Sequence, residues 1–455
     1  MHDISIKNFR CYSEKSIEFR RGINLLIGDN SVGKTSLLRA CNLVNNTFFC
    51  GFSDENTIWK SAEDDDFREI KNDNIQTDDL PISIAFHLDD SDFPALDPAD
   101  NNALNLEQKK GNNKRPVNTE LIIEKKSKKN ARNLVTGLKP LKEYASFLQA
   151  KSHVIIDGVA YQIYILPLFA YFTTEDIHTK RKFSANDKHF KKYPQKASFG
   201  YFESFDCKGL LDSWIRRLLV LKEAKKGEEE INCVKNAIIN ALGSKGCDII
   251  SDLDIRPNDG QVYFIYTDGR EVRSDLLSDG YRRLVSIIVD LAFRCALLNK
   301  IKFGENAYKF THGTVIIDEI DEHLHPKLQV CVLKALHNTF PKIQFIVSTH
   351  APLVMSSVPN VEENVVYILE FKEGEYTHKE LKTYGLDAST IMELYMGEIS
   401  RDINAKKDIE NLFKQIDDEK YEDAYKMLNK LNKKYGGDSN PELIKAQAIL
   451  SFFKN

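Results

Sequence analysis

The sequence predicts an α/β fold: a mixed, largely parallel sheet with an antiparallel lobe, helical insertions and a C-terminal α-helical hairpin. Three observations predict it. The compact apolar run Ile23–Ile27 leads directly into a Gly-Lys-Thr turn and a helix-like segment, Ser36–Val44. Two β-branched runs, Thr314–Ile317 and Gln344–Val347, flank a helix-length segment, Lys327–Thr339, which is the pattern of a βαβ unit whose strands are buried on both faces. From Asn404 onward the periodicity is purely helical. With 455 residues, 42% of them apolar and 29% charged, the chain can bury a sizeable core.

The elements follow in order. Ile4 and Ile6, then Ile17 and Phe19, alternate as two short strands around the polar turn Cys11–Lys15. Residues 52–79 are acidic and weakly periodic, which reads as loop with short helix. Pro81–Leu88, Thr119–Glu124 and His153–Ile165 read as strands, with a lysine-rich loop over 101–116. Tyr164–Phe172 is a further buried strand and 173–207 an irregular insertion. Gly209–Leu221 and Glu228–Leu242 are helical. Leu253–Arg256 and Gln261–Tyr266 form a hairpin turned by Pro257-Asn258-Asp259-Gly260. Ser278–Leu298 is a long apolar-periodic helix with Ser278 or Asp279 at its N-cap. In the tail, Tyr421, Ala424, Met427, Leu428 and Leu431 share one helical face, and Asn440-Pro441 opens the last helix. Residues 1–400 thus read as one head with insertions at about 89–160 and 173–250, and 401–455 as a C-terminal helical subdomain.

Several classes are excluded. The longest apolar run, Tyr161–Phe172, is shorter than the ~20 residues of a membrane helix, and Met1–Ser5 has no leader pattern. Eight cysteines without a CxxC pair read as reduced core residues of a cytoplasmic protein, not as a disulfide or zinc framework. The net charge of −4 is unevenly distributed. Asp54–Asp100 carries fifteen acidic residues against three basic, Lys109–Lys151 twelve basic against three acidic, and Lys180–Lys196 seven basic against Asp187. Such runs read as solvated faces or as a patch for nucleic acid or a charged partner.

The chemistry concentrates in four motifs. Gly28-xxxx-Gly33-Lys34-Thr35 follows a strand and opens a helix. There, backbone N–H groups, the helix dipole and Lys34 converge on phosphates, and the Thr35 hydroxyl can ligate Mg²⁺. Asp318-Glu319 ends a buried strand, where Asp318 would hold Mg²⁺ and Glu319 would orient and deprotonate water. His350 ends the neighbouring strand and is a candidate γ-phosphate sensor. Ser278-Asp279-Gly280 at a helix N-terminus makes a second anion site. Two phosphate sites at opposite ends of one head can share one nucleotide if two chains pair head to tail, the ATP-binding-cassette (ABC) arrangement. His323-x-His325 precedes Pro326 with no cysteine near, so zinc is not expected there.

Asn8-Phe9-Arg10, the Gly28–Thr35 turn, Ser278-Asp279-Gly280, Asp318-Glu319-Ile320-Asp321-Glu322-His323-Leu324-His325-Pro326 and Ser348-Thr349-His350-Ala351-Pro352 together resemble the RecF, Rad50 and SMC class of ABC ATPases. Within that class the chain is most similar to ATPases that include the OLD nucleases and the PtuA-like ATPases of Septu and retron antiphage systems. Thr383-Tyr384-Gly385-Leu386-Asp387, Met396-Gly397 and the helical tail carry the PtuA likeness. The resemblance implies an ATPase using ATP and Mg²⁺. Arg10, Asn30, Gly33, Lys34, Thr35 and Ser36 would bind nucleotide, Thr35 and Asp318 would serve Mg²⁺, and Glu319 and His350 would act in catalysis. Ser278, Asp279 and Gly280 would act in trans.

It further implies a bacterial cytoplasmic homodimer or higher homo-oligomer that scaffolds and controls a separate PtuB-like HNH endonuclease, with DNA reached through the complex. The alternatives are a RecF-like repair ATPase that binds DNA directly and an OLD-type nuclease, the latter disfavoured because no spaced acids of a Toprim domain follow the head. One departure stands out: the family's glutamine-bearing loop should follow Phe172, where the chain reads Thr173-Thr174-Glu175-Asp176 with no glutamine, so no residue is assigned to that role and Glu175 is a candidate at most.

Overall fold

A computed structural model of the chain describes residues 1–68, 80–89, 115–129, 133–174, 190–205, 210–397, 402–436 and 440–453. The first unit, Met1–Asp387, is organised around a six-stranded sheet of order β15-β14-β3-β13-β12-β8. Its strands are β3 (Ile23–Ile27), β8 (Leu168–Phe172), β12 (Gly313–Ile317), β13 (Ile343–Ser348), β14 (Val365–Lys372) and β15 (Glu375–Leu381). The inner strands are parallel and only β15 runs antiparallel, at the edge. Val315, Ile316 and Ile317 are fully buried, as the β-branched pattern requires of a strand covered on both faces. Ile317 pairs with both Val347 and Phe172, and Ser348 pairs with Leu26, so the carboxyl ends of four strands finish side by side. That shared end is where ligands bind in open α/β sheets.

A second, antiparallel sheet has the order β2-β1-β4-β5, from β1 (Asp3–Phe9), β2 (Tyr12–Glu18), β4 (Ile82–His87) and β5 (Leu121–Lys125). Its inner face packs Ile4, Ile6, Phe86 and Ile123 against Leu37 and Cys41 of α1 (Lys34–Asn46) in one core. A hairpin of β9 (Ile250–Arg256) and β10 (Gln261–Tyr266) is extended by β11 (Glu271–Arg273) and leads to α5 (Asp279–Phe303). Before it come α2 (Lys139–Lys151), α3 (Leu211–Glu223) and α4 (Glu228–Leu242). α5 is buried nearly all round, and its internal charge is paired: Asp290 takes the Arg294 guanidinium and the Trp214 indole N–H at 2.6 Å.

Several expectations are corrected. The single strand expected over His153–Ile165 is a hairpin, β6 (His153–Ile156) and β7 (Val159–Gln162), because Asp157-Gly158 adopts the left-handed backbone that two-residue turns need. The segment Lys139–Lys151, treated as part of a charged run, is a helix entered through Pro140. The crossover helix expected over Lys327–Thr339 is broken into Pro326–Gln329 and α6 (Val332–Thr339). Cys247 and Cys331, 84 residues apart, form a disulfide with Cα atoms 5.5 Å apart, against the reading that the cysteines are all reduced core residues. Spacing could not reveal it, because the turn after α4 and the turn before α6 meet only once those helices pack. Most of the basic stretch Lys180–Lys196, the loop 101–114 and Glu175 lie outside the described residues.

The second unit, Ala388–Asn455, begins before the boundary read at 401 and includes the short helix Ala388–Ile391. Among its described residues it holds three longer helices where a hairpin was expected: α7 (Ile403–Asp417), α8 (Tyr421–Tyr435) and α9 (Pro441–Phe452). Leu412, Leu428, Leu431, Leu443 and Leu450 form its core, which two helices alone could not enclose. Asp402 and Asn440 cap α7 and α9 by accepting two backbone N–H bonds each, and Gly436 ends α8 with φ 67°.

Candidate nucleotide-binding site

β3 is buried throughout and is followed by Gly28, whose φ of 137° suits glycine. A Cβ at Gly28 would lie 2.3 Å from the Leu369 carbonyl oxygen of β14, so the turn is wedged against the neighbouring strand. Gly33, with φ 93°, closes the turn; a Cβ there would meet the Tyr12 hydroxyl at 2.4 Å. That hydroxyl donates to the Gly33 carbonyl at 2.9 Å, which pins the turn to the antiparallel sheet. α1 starts at Lys34 with no side-chain cap, leaving its first N–H groups directed into the turn. The Lys34 ammonium is buried and donates to the carbonyls of Gly28 and Asp29, both at 2.8 Å. Burial lowers its pKa, opposed by the carboxylates of Asp318, Glu319, Asp29 and Asp321. Asn30 and Thr35 are exposed, and Ser36 is half-buried beside the Cys11 thiol.

Arg10 is fixed by an ion pair: its Nε donates to Asp66 Oδ1 at 2.8 Å. Asp66 is fully buried, also takes Arg39 Nη2 of α1 at 3.2 Å, and accepts the Glu63 N–H at 2.9 Å. The guanidinium of Arg39 and that of Arg10 hold its carboxyl below the usual range despite burial, which pushes it up. The loop after α1 therefore decides where Arg10 stands.

The acids sit at the end of β12. The Asp318 N–H extends the ladder to the Phe172 carbonyl at 2.9 Å, and its carboxylate accepts from the Ser348 hydroxyl at 2.5 Å. The same hydroxyl accepts the Glu319 N–H at 2.8 Å. Glu319 has φ 49°, a costly conformation for a residue with a side chain, which turns it out of the strand. Burial, then the charge of Asp318, raises the Glu319 pKa, while His350 lowers it. A raised value suits a base that must take a proton. Next door, the Thr349 hydroxyl donates to Asp321 at 2.5 Å, and the His350 N–H donates to the same oxygen at 3.3 Å. These bonds lock the ends of β12 and β13 together and bring His350 to Glu319.

At the start of α5, Ser278 occupies the N-cap without spending its hydroxyl on the cap, and both Ser278 and Asp279 are exposed. Gly280 is buried where a Cβ would lie 2.4 Å from the His323 carbonyl oxygen. One turn on, buried Arg283 joins this helix to the acids. Its Nη1 pairs with Glu322 at 2.6 Å, and its Nη2 donates to the carbonyls of Asp318 at 2.7 Å and Glu319 at 3.0 Å. The Ser278–Gly280 turn is thus packed on the acidic loop of its own chain. His325 caps Pro326–Gln329 through Nδ1, which accepts the Lys327 N–H at 3.2 Å.

Lys34, Asp318, Glu319 and His350 are therefore brought to one end of the sheet, and Ser278–Gly280 is joined to them through Arg283. Ser348, Asp321, Arg283, Tyr12 and Asp66 were not singled out in the sequence. Ser348 and Asp321 stand inside quoted motifs and could have been read as partners across adjacent strand ends; nothing local marks Arg283, Tyr12 or Asp66.

Residues 23–356 match the family described as "AAA domain, putative AbiEii toxin, Type IV TA system". The chain belongs to that family. It is similar to the Retron Vc95 probable ATPase of Vibrio cholerae serotype O1 biovar El Tor, with 39% identity over 109 residues, 24% of this chain and 20% of that protein. It is also similar to the Septu protein PtuA of Bacillus mycoides (strain KBAB4), with 33% identity over 147 residues, 32% and 19% of the two chains. The Septu protein PtuA of Bacillus thuringiensis is 27% identical over 190 residues, 40% and 44% of the two chains. The matched part spans less than half the length of each of these relatives. Among solved structures, an SMC head bound to the C-winged helix domain of ScpA has 16% identity and a TM-score of 0.45, covering 84% of this chain and 98% of that one. RecF-ATPrS of the RecFOR pathway has 14% identity and a TM-score of 0.38, covering 84% and 97%. Among the described residues no helix is long and apolar enough to cross a membrane.

Proposed function

We propose that the chain binds and hydrolyses ATP as a head-to-tail dimer or higher homo-oligomer, and that this cycle controls a partner HNH endonuclease in antiphage defence. The observation that carries the reading is a second phosphate-competent turn in the chain: besides Gly28–Thr35, α5 starts at Ser278 with its hydroxyl left over. In this reading Lys34 exchanges its two carbonyl partners for phosphate oxygens. Exposed Thr35 and the Asp318 carboxylate are oxygen donors of the kind Mg²⁺ takes, and Asp318 is oriented by Ser348, so this pair would hold the ion. Bound there, Mg²⁺ would neutralise charge on the transferring phosphoryl group. Glu319 takes a proton from the attacking water, giving ADP and phosphate. His350, beside Glu319, senses the γ-phosphate, and Ser278, Asp279 and Gly280 close the nucleotide of the mate.

The defence role is supported by relatives named for Septu and retron systems. An ATP-bridged dimer supplies a two-state element whose balance the nucleotide shifts. Endonuclease action and contact with DNA are assigned to the complex, in the bacterial cytoplasm.

The test is the mass of Glu319→Gln at saturating ATP by light scattering. The variant should accumulate as a nucleotide-dependent dimer or larger species, and Ser278→Arg added to it should abolish that species. A Glu319→Gln chain whose mass is the same with and without ATP overturns head-to-tail closure.

A further inference from the structure

We infer that the Cys247–Cys331 pair is a thiol–disulfide site that controls the order of the acidic loop; the inference rests on reading Asp318 and Glu319 as the catalytic acids. Cys247 lies in the turn that closes α4, where its N–H donates to the Ala241 carbonyl at 3.0 Å and Ile249 returns to Leu242 at 2.7 Å before β9 begins. Cys331 lies in the turn between Pro326–Gln329 and α6. The bond closes a loop of the chain that contains β9 to β11, Ser278, Arg283, Asp318 and Glu319, while Arg10, the Gly28–Ser36 stretch and His350 lie outside it.

The link from the bond to the acids is short. The Gln329 side chain donates to the Leu324 carbonyl at 3.0 Å, and Leu328 and Gln329 donate to the His325 carbonyl at 2.7 and 3.2 Å. Glu322, three residues before His325, takes Arg283, whose other nitrogen holds the Asp318 and Glu319 carbonyls. With the disulfide intact, the far end of this segment is anchored to α4. Without it, the segment is retained by the buried side chains of Ile320, Leu324 and Leu328 and by the hydrogen bonds.

The two sulfurs differ in access. Cys247 is buried, while Cys331 is half-exposed beside exposed Val330 and Lys327. A dithiol reductant therefore attacks the Cys331 sulfur through its thiolate, breaking the S–S bond with Cys247 as the leaving thiolate, which takes up a proton. The second thiol of the reductant then resolves the mixed disulfide on Cys331. Two electrons and two protons pass to the protein, and the dithiol becomes a disulfide. A low-molecular-weight oxidised disulfide runs the same steps in reverse.

The test uses the full chain. Denaturing alkylation of protein purified without reductant should leave two cysteines unmodified, in a linked peptide containing Cys247 and Cys331; dithiothreitol should expose both as thiols. Amide exchange in peptides covering 318–331 and 274–283 should quicken on reduction, and Cys331→Ser should exchange like reduced protein whether or not dithiothreitol is present. ATP turnover should fall by about fivefold on reduction, the low end for coupled sites, and should not respond in Cys331→Ser. Should that variant fold poorly, Cys247→Ala serves in its place. Both cysteines alkylating freely after exposure to oxidised glutathione overturns the site. A formed disulfide with unchanged exchange overturns its control of the loop. Exchange that responds in a chain without ATP turnover in either state refutes the ATPase reading and leaves the redox site standing.

Discussion

Replacing Arg283 with alanine separates the start of α5 from Asp318 and Glu319, the acids proposed to act in catalysis, while leaving the Gly28–Thr35 turn untouched. The side chain is 3% exposed, pairs with Glu322 and donates to two backbone carbonyls. Breaking a buried pair costs about 3–5 kcal/mol. Glu322 retains 24% exposure and can turn to water, and the Arg283 Nε is buried without a partner, so its removal returns part of the cost. A net loss of about 3 kcal/mol follows, within the ~5–15 kcal/mol of a stable domain, so the chain should still fold. For a unit as large as Met1–Asp387 the melting point should drop by roughly 4 °C. If the same ~3 kcal/mol is withdrawn from positioning the acids, turnover falls by about a hundredfold. ATP affinity should change little, because Lys34 and the Gly28–Gly33 turn do not depend on Arg283. Arg283→Lys keeps the charge but cannot span Glu322 and both carbonyls, and should lie between. The assays are steady-state ATP turnover, nucleotide binding and thermal melting on the same preparations. A folded Arg283→Ala chain that hydrolyses ATP within about twofold of wild type refutes the reasoning.

Ser348→Ala leaves a buried Asp318 oxygen and the Glu319 N–H without their shared partner. Two such losses cost about 1–3 kcal/mol each, and turnover should fall by one to two orders of magnitude with ATP binding retained; unchanged turnover would show that the hydroxyl does not position the acids. The raised pKa of Glu319 has a sign that can be measured. Its base form is lost as pH falls through a value above that of an ordinary glutamate, so the acid limb of ATP turnover should lie above the usual glutamate range. Asp321→Asn, which removes one of the charges raising that pKa, should move the limb down. A limb at or below the ordinary value, or one that moves up, is the contrary result.

Much of this protein was legible in consecutive residues. The strand Ile23–Ile27, the glycine-bounded turn, the acids after Thr314–Ile317 and the helix start at Ser278 each depend on local periodicity and on backbone conformations that few residues adopt, and both are written in short stretches of chain. The alternation that predicted two strands near the N-terminus likewise reports one buried face, whichever partner covers it. What the local pattern could not decide is which strand ends meet. Ser348 reaches Asp318, Thr349 reaches Asp321, Arg283 spans to Glu322, and Cys247 bonds Cys331 across separations of 28 to 84 residues. Each contact exists only because the sheet orders β3, β13 and β12 side by side and packs α4 and α6 together. Side-chain pairing at such distances is set by the burial of the whole core, so it was decided by the tertiary structure.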